Sequence, residues 1–133
     1  MKDLLDRIKH HEGFRSRVYK CTEGYDTIGY GFAIKDLDLD EEVCNLILIK
    51  KLDKLIDNTN KKFSFLAKIP QDKCEVIYEM CYQLGINGVS KFKKMLKHLE
   101  NEDFEQASVE MLDSLWAKQT PNRAKKLSNQ MKS

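Results

Sequence analysis

A glutamate, a cysteine and a threonine near the start of the chain have types and spacing that suit shared chemistry. Glu12 is followed after eight residues by Cys21, and Cys21 after five residues by Thr27. A carboxyl group can donate a proton to a leaving oxygen as a general acid. A thiol and a hydroxyl opposite it could hold or polarise a water molecule. A glutamate near a helix end is usually only a solvated side chain, so the surroundings of these residues decide whether Glu12 is a catalytic acid.

The run from 12 to 31 contains strand-forming stretches separated by glycine. Residues 18–20 and 25–30 favour β-structure, and four of the six glycines of the protein lie in this run. Glycine permits tight turns and close approach of the backbone to a ligand. If the two stretches pair as a hairpin, Cys21 and Thr27 can both face the glutamate carboxyl group. The run therefore predicts a hairpin that forms one wall of a polar cleft.

The same run resembles the T-even phage lysozymes, the endolysins of glycoside hydrolase family 24. Their active-site pattern is Glu, eight residues, Asp or Cys, five residues and Thr. Two later segments resemble the family in the same order: residues 82–92, which begin Tyr-Gln-Leu-Gly, and residues 116–125, which contain Trp116 and Gln-Thr-Pro-Asn-Arg. The three matches cover most of the chain. Residues 32–70 match loosely and are shorter than in the larger members.

The resemblance implies both a fold and a reaction. The fold would be α+β and mostly helical, with a small N-terminal lobe carrying a β-hairpin and a larger helical lobe. The cleft between them would bind peptidoglycan glycan strands, and the enzyme would hydrolyse the β-1,4 bond between N-acetylmuramic acid and N-acetylglucosamine. Glu12 would be the general acid, with Cys21 and Thr27 as the other catalytic residues. Arg123 matches the family's arginine that contacts this glutamate, and the remaining predicted cleft residues are Tyr82, Gln83, Phe32 and Ala33.

Two positions depart from the family pattern. Cys21 stands where many members have Asp, and Phe32 stands where the best-known members have a His that makes a structural ion pair. A cysteine with an ordinary pKa is mostly neutral at pH 7 and is a poor base. Cys21 could polarise a water held by Thr27, which gives inversion, or attack the anomeric carbon as a thiolate, which gives retention. We expect inversion. Asp26 is an alternative carboxylate, although in a strand it faces away from Thr27.

Helical periodicity accounts for most of the remaining chain. The first segment has one apolar face, and Asp40 caps a helix over about 41–57 whose wide apolar stripe suits a helix that links two lobes. Residues 71–84 form the most buried helix, which ends at Gly85. Further helices are predicted over about 89–99 and over about 102–112, the second with Asn101 as its start. Trp116 opens a short turn, and the last helix begins after it at Thr120-Pro121.

The predicted organisation is a single lysozyme-like domain over 1–133. It has an N-terminal lobe over about 13–40, the linking helix, and a helical lobe over about 58–133 that includes the N-terminal helix. The hydrophobic content of 41% and the formal charge of +2 suit one small globular enzyme. From Lys118 onward five residues are basic and none is acidic. Such a face is usually only solvated, although it could also hold acidic wall polymers.

No cofactor and no metal site are predicted. Residues 36–41 resemble the start of a calcium loop, but Glu41 and Ile47 stand where that loop needs Gly and Glu. His10 and His11 are adjacent on a helix and therefore diverge. No C-x-x-C motif occurs, so a zinc or redox site is not expected. We expect reduced thiols at Cys21, Cys44, Cys74 and Cys81, and the last two would share one helix face.

No apolar run of signal-peptide or membrane-span length occurs in residues 1–11, so we expect no signal peptide, signal anchor or membrane insertion. An endolysin of this kind would stay in the host cytoplasm as a monomer until a holin releases it to the periplasm. Two other functions stay open. One is a lysozyme-like cell-wall-binding protein with reduced or no activity, which Cys21 allows. The other is a small nucleic-acid binder using the basic C-terminus, which the balanced total charge argues against.

Overall fold

A helix and a small sheet make up the first of two units, which spans 1–45. Helix α1 (Lys2–Glu12) places the predicted acid at its last position, and Gly13 ends it with a φ of 70°. Strands β1 (Arg15–Lys20), β2 (Asp26–Gly29) and β3 (Phe32–Ala33) form an antiparallel sheet in the order β1-β2-β3. The structure is a computed structural model that describes all 133 residues.

The register of the sheet confirms the predicted hairpin. Tyr19 pairs with Thr27, and Lys20 pairs with Asp26. Strand β3 was not predicted, because two residues are too short to show an alternating pattern. Gly29 at the end of β2 and Gly31 in the turn before β3 have φ values of 71° and 76°, a region that favours glycine over any residue with a side chain.

The second unit spans 46–133 and is built from helices. Its first helix, α2, begins in the preceding unit. The helices are α2 (Glu41–Lys62), α3 (Gln71–Ser90), α4 (Lys93–Glu100), α5 (Phe104–Leu112), α6 (Leu115–Gln119) and α7 (Pro121–Lys132). The fold is therefore α+β and mostly helical, as predicted. The assignment of the N-terminal helix to the helical lobe stays a prediction.

Two helix ends follow the predicted chemistry. The carboxylate of Asp40 accepts a hydrogen bond from the backbone N–H of Val43 at 2.9 Å and so caps α2. Gly85 interrupts α3 with φ 78° and ψ 158°, at the predicted stop. Helical geometry then resumes, so α4 begins at Lys93 rather than at 89.

Two other predicted boundaries were wrong. Helix α2 continues to Lys62 rather than to 57, because no Gly or Pro interrupts it. Helix α5 is capped by Asp103 instead of starting at Asn101, because the Asp103 carboxylate accepts a hydrogen bond from the backbone N–H of Gln106 at 3.2 Å.

The hydrophobic core lies in the second unit, and α3 supplies more of it than any other helix. Cys74 and Cys81 are buried there, as predicted. Met side chains from four different helices are almost completely buried: Met80, Met95, Met111 and Met131. Methionine is flexible and fills irregular space between helices. The apolar stripe of α2 takes part only near its end, where Leu55 and Ile56 pack against this core.

Candidate active site

The carboxyl group of Glu12 lies directly against Gly31. A Cβ atom at Gly31 would collide with Oε2 of Glu12 and would lie 3.1 Å from its carboxyl carbon. Gly31 also has a positive φ, so both its backbone conformation and its neighbour require glycine. Gly31 is a site residue that was not predicted from the sequence. The alternation Gly29-Tyr30-Gly31 at the end of a strand is the feature that could have indicated it.

The hairpin brings Cys21 and Thr27 together. The N–H of Cys21 donates to the carbonyl of Tyr25 at 2.9 Å, and the N–H of Gly24 donates to the carbonyl of Cys21 at 2.9 Å, which closes a tight loop. The hydroxyl of Thr27 donates to the carbonyl of Tyr25 at 2.9 Å. Thr27 is 4% exposed and is the only buried residue in the first unit. This hydroxyl is therefore held in place by the loop that carries the thiol.

The loop lowers the pKa of the Cys21 thiol. The largest cause is the backbone N–H of Tyr25, followed by that of Glu23, and the nearby side chain of Thr27 contributes less. The two backbone donors stabilise the thiolate, whereas partial burial and the negative charge of Glu23 act in the opposite direction. The thiol of Cys21 therefore ionises more readily than that of a cysteine with an ordinary pKa, which the sequence alone suggested.

The other carboxylate considered, Asp26, is engaged elsewhere. Its Oδ1 atom lies 2.7 Å from the Nζ atom of Lys20, its partner in the sheet, and both side chains are exposed. Thr27, the next residue along β2, is buried. Neighbouring strand residues point to opposite faces, so this arrangement disfavours Asp26 as a partner of Thr27.

Phe32 and Ala33 form β3 beside these residues. Ala33 pairs with Thr27 and Phe32 pairs with Ile28. The ring of Phe32 lies over Gly29, where a Cβ atom would be 2.8 Å from two ring carbons. Phe32 nevertheless keeps 47% of its surface exposed.

In the second unit, Gln83 holds the tryptophan that precedes α7. Its Oε1 atom accepts a hydrogen bond from Nε1 of Trp116 at 2.9 Å, and Trp116 is 4% exposed. Phe92 packs edge-on against the indole with the ring centroids 6.1 Å apart. The hydroxyl of Thr120 donates to the carbonyl of Trp116 at 3.0 Å. Trp116 therefore packs the turn from which α7 starts, while Tyr82 is half exposed.

Arg123 lies in the first turn of α7 and pairs with an acidic residue of α3. Its Nε atom donates to Oε2 of Glu79 at 2.8 Å. Glu79 could not be predicted as the partner of Arg123, because a pair 44 residues apart produces no local pattern in the sequence. This ion pair fixes the stem of the Arg123 guanidinium within the second unit.

No three His, Cys, Asp or Glu side chains converge in a way that could hold a metal ion. All four cysteines are free. None of the helices combines the length and apolar character needed to cross a membrane.

A mostly helical α+β fold that carries a glutamate at the end of its first helix, followed by a Cys–Thr pair on a hairpin, has the arrangement of a lysozyme-type glycosidase. The sequence profile of the phage lysozyme family matches residues 9–132. The chain therefore belongs to the phage lysozyme family. It is a lysozyme-type glycoside hydrolase, and its family acts on peptidoglycan.

Individual relatives agree with this assignment. The chain is 26% identical to the probable T4-type lysozyme 1 of Dictyostelium discoideum and 28% identical to the probable T4-type lysozyme 2, with 96% of this chain and 92% of each relative covered. It is 28% identical to the pre-baseplate central spike protein Gp5 of Enterobacteria phage T4, with 93% of this chain and 26% of that protein covered. The Dictyostelium alignments run over 156 positions, so those relatives carry insertions that this 133-residue chain lacks.

Proposed function

We propose that this protein is an endolysin-type muramidase. It hydrolyses the β-1,4 bond between N-acetylmuramic acid and N-acetylglucosamine in peptidoglycan and serves host cell lysis. The observation that carries the proposal is the arrangement within the first unit, where the carboxyl group of Glu12 at the end of α1 lies against Gly31 and the hairpin brings Cys21 and Thr27 together. These groups supply what glycoside hydrolysis needs, namely a proton donor and a means of handling water.

In the proposed reaction, Glu12 donates its proton to the glycosidic oxygen as the bond from that oxygen to the anomeric carbon breaks. Water adds to the anomeric carbon, and its proton passes to the thiolate of Cys21. Thr27 orients this water, because its hydroxyl proton is already directed to the Tyr25 carbonyl and its oxygen can accept a hydrogen bond. The leaving sugar gains a hydroxyl group, and the new reducing end is the α-anomer.

The position of Thr27 favours this role over nucleophilic attack. Thr27 lies on the same hairpin as Cys21, and its oxygen can accept a hydrogen bond from a water molecule placed beside the sulfur. The backbone N–H groups of Tyr25 and Glu23 lower the pKa of the Cys21 thiol, which raises the fraction of the ionised form that can accept a proton. We therefore assign Cys21 as the base, with Thr27 as the residue that positions water.

The resemblance supports the other roles in the proposal. Arg123 orients Glu12, and substrate contacts come from Tyr82, Gln83, Phe32 and Ala33. The protein acts as a monomer. It stays in the host cytoplasm until a holin allows it to reach the periplasm.

A second candidate function is a lysozyme-like cell-wall-binding protein with reduced or no activity. The observation that favours it is Cys21, which stands where many family members have a carboxylate. Such a protein would bind peptidoglycan without releasing reducing ends.

The test of the proposed function is Glu12→Gln. Glutamine keeps the hydrogen-bonding shape but has no transferable proton, so release of reducing ends from purified peptidoglycan should fall by at least about a hundredfold. The matched control is Asp6→Asn, which removes an exposed carboxylate from the same helix and should leave the rate unchanged. Near-normal cleavage by Glu12→Gln would remove Glu12 from the mechanism. A wild-type protein that binds peptidoglycan but does not cleave it would establish the second candidate function.

A further inference from the structure

Three aromatic side chains of the first unit contact one another beside Glu12. The ring centroids of Phe14 and Tyr30 are 5.4 Å apart, and those of Tyr30 and Phe32 are 6.4 Å apart. We call Phe14, Tyr30 and Phe32 the aromatic platform. Lys9 places its ammonium group 5.7 Å from the centroid of the central Tyr30 ring. The platform is thus a continuous apolar surface with one cation beside it.

The outer two rings are open to solvent. Phe14 is 63% exposed and Phe32 is 47% exposed. Single exposed apolar residues are normal in soluble proteins, but contiguous exposed aromatic rings commonly mark a binding surface. The contacts among the rings keep this surface in place without burying it.

The platform and the proposed acid are supported by the same loop. Gly29 and Gly31 flank Tyr30, and both have a positive φ. The ring of Phe32 lies over Gly29, and the carboxyl group of Glu12 lies against Gly31. The surface is therefore continuous with the site at which Glu12 would protonate the glycosidic oxygen.

We propose that the aromatic platform is a subsite that stacks on the apolar C–H face of a pyranose ring of the glycan, next to the bond that is cleaved. This inference rests on the proposed function. Ligand sites are typically lined by aromatic side chains with few polar groups, and a pyranose ring presents a C–H face that such rings can cover. Continuity with the acid favours a sugar over a protein segment as the occupant. Stacking here would hold the scissile bond in register with Glu12.

The first test uses substitutions that keep apolar volume but remove the ring. Phe14→Leu and Phe32→Leu should each raise KM for peptide-free glycan strands roughly 3- to 10-fold with little change in kcat, the scale expected for one aromatic contact. Phe14→Tyr and Phe32→Tyr keep an aromatic ring and should therefore leave KM at its wild-type value. The control is Val18→Ala, which trims an exposed apolar side chain of β1 outside the platform and should leave KM unchanged.

The second test separates this inference from the proposed function. In the Glu12→Gln background, a peptide-free tetrasaccharide of alternating N-acetylglucosamine and N-acetylmuramic acid should shift the NMR signals of the Phe14 and Phe32 ring protons. Phe14→Leu should weaken tetrasaccharide binding by a similar factor.

If wild-type protein cleaves the strands and both Leu variants keep KM, the subsite at the aromatic platform is overturned while the hydrolase function stands. If nothing is cleaved but tetrasaccharide binding still depends on Phe14, the subsite stands and the hydrolase fails. Loss of thermal stability with unchanged affinity would make the platform a packing surface and overturn the subsite.

Discussion

Cys21 shows how backbone groups can change what a single side chain is able to do. The spacing of Glu12, Cys21 and Thr27 could be recognised in the sequence, because it spans one helix end and one hairpin. The N–H groups that lower the pKa of the Cys21 thiol could not be predicted, since they belong to the turn at residues 23–25 and their direction depends on how that turn closes. The contact between Glu12 and Gly31 was missed for the same reason, because it joins a side chain to a backbone atom of another loop.

Substitution of Cys21 decides its role in the reaction. If Cys21 accepts a proton from water, Cys21→Asp should keep or raise activity, because a carboxylate is also a base. Cys21→Ser should retain a part of the activity, and Cys21→Ala should lose about a hundredfold, the usual scale of base catalysis. NMR recorded within seconds of cleavage should show the α-anomer as the first product. Cleavage of purified glycan strands measures the rates.

Two results would contradict this assignment in different ways. A β-anomer as first product, together with an inactive Cys21→Ser and inactivation by mild alkylation, would make Cys21 a nucleophile that forms a covalent intermediate. Full activity in Cys21→Ala would show that Thr27 and bulk water suffice. Cys21→Asp tests charge, and Cys21→Ser tests whether a polar group alone can replace the thiolate.

At the level of elements, the start of α3 and the end of α7 are tied by a buried lysine. Lys73 is 5% exposed, and its Nζ atom donates to the carbonyl of Gln130 at 2.7 Å and lies 2.9 Å from Oδ2 of Asp72. The side chain of Gln130 donates in return to the carbonyl of Asp72 at 2.8 Å. The periodicity of α3 predicted its buried face but not a buried cation, because the carbonyl to which Lys73 donates belongs to a residue 57 positions away.

Removal of this lysine should loosen the attachment of α7. Lys73→Ala leaves the Gln130 carbonyl and the Asp72 carboxylate without their partner, so the free energy of unfolding should fall by about 2–3 kcal/mol, the scale for a hydrogen bond to a charged group. Urea denaturation measures the change, and Lys126→Ala, an exposed lysine on α7, serves as the control. Equal stability of the two variants would show that the core alone holds α7.

The same contact predicts a pH dependence. The hydrogen bond from Lys73 holds the pKa of Asp72 below its ordinary value of 3.8. A lowered folded-state pKa contributes stability that is present above the unfolded value and is lost as pH falls through the folded one. The wild-type protein should therefore lose this contribution only below about pH 4. Lys73→Ala should show a flatter dependence in that range.

Helix types were easier to predict than helix ends. Caps such as Asp40 and breaks such as Gly85 act through neighbouring residues and were predicted correctly. The start of α5 at Asp103 and the end of α2 at Lys62 were not. Both depend on which of several polar residues the packed structure selects, and local sequence does not rank them.

Across the whole molecule, burial is distributed unevenly between the two units. The core of buried apolar side chains lies entirely within 46–133, whereas Thr27 is the only buried residue of 1–45. Local stability follows the number of buried apolar contacts, so amides of α3 and α7 should exchange hydrogen far more slowly than those of β1 and β2. Hydrogen exchange followed by mass spectrometry measures this difference in the Glu12→Gln protein.

Addition of glycan should change that pattern in one place. A ligand that binds only the folded state of the first unit stabilises it by mass action, so exchange at residues 26–33 should slow by about 10- to 100-fold at ligand concentrations of roughly 10 to 100 times Kd. Exchange in α3 should barely change, because its protection already reflects the core. Uniform slowing across both units would contradict a binding surface on the hairpin, and equal protection of the two units before ligand is added would contradict the uneven stability inferred from burial. If exchange slows only at the hairpin, the order of the weakly buried first unit depends in part on the substrate. The proposed catalytic residues then lie in the part of the chain that binding stabilises most.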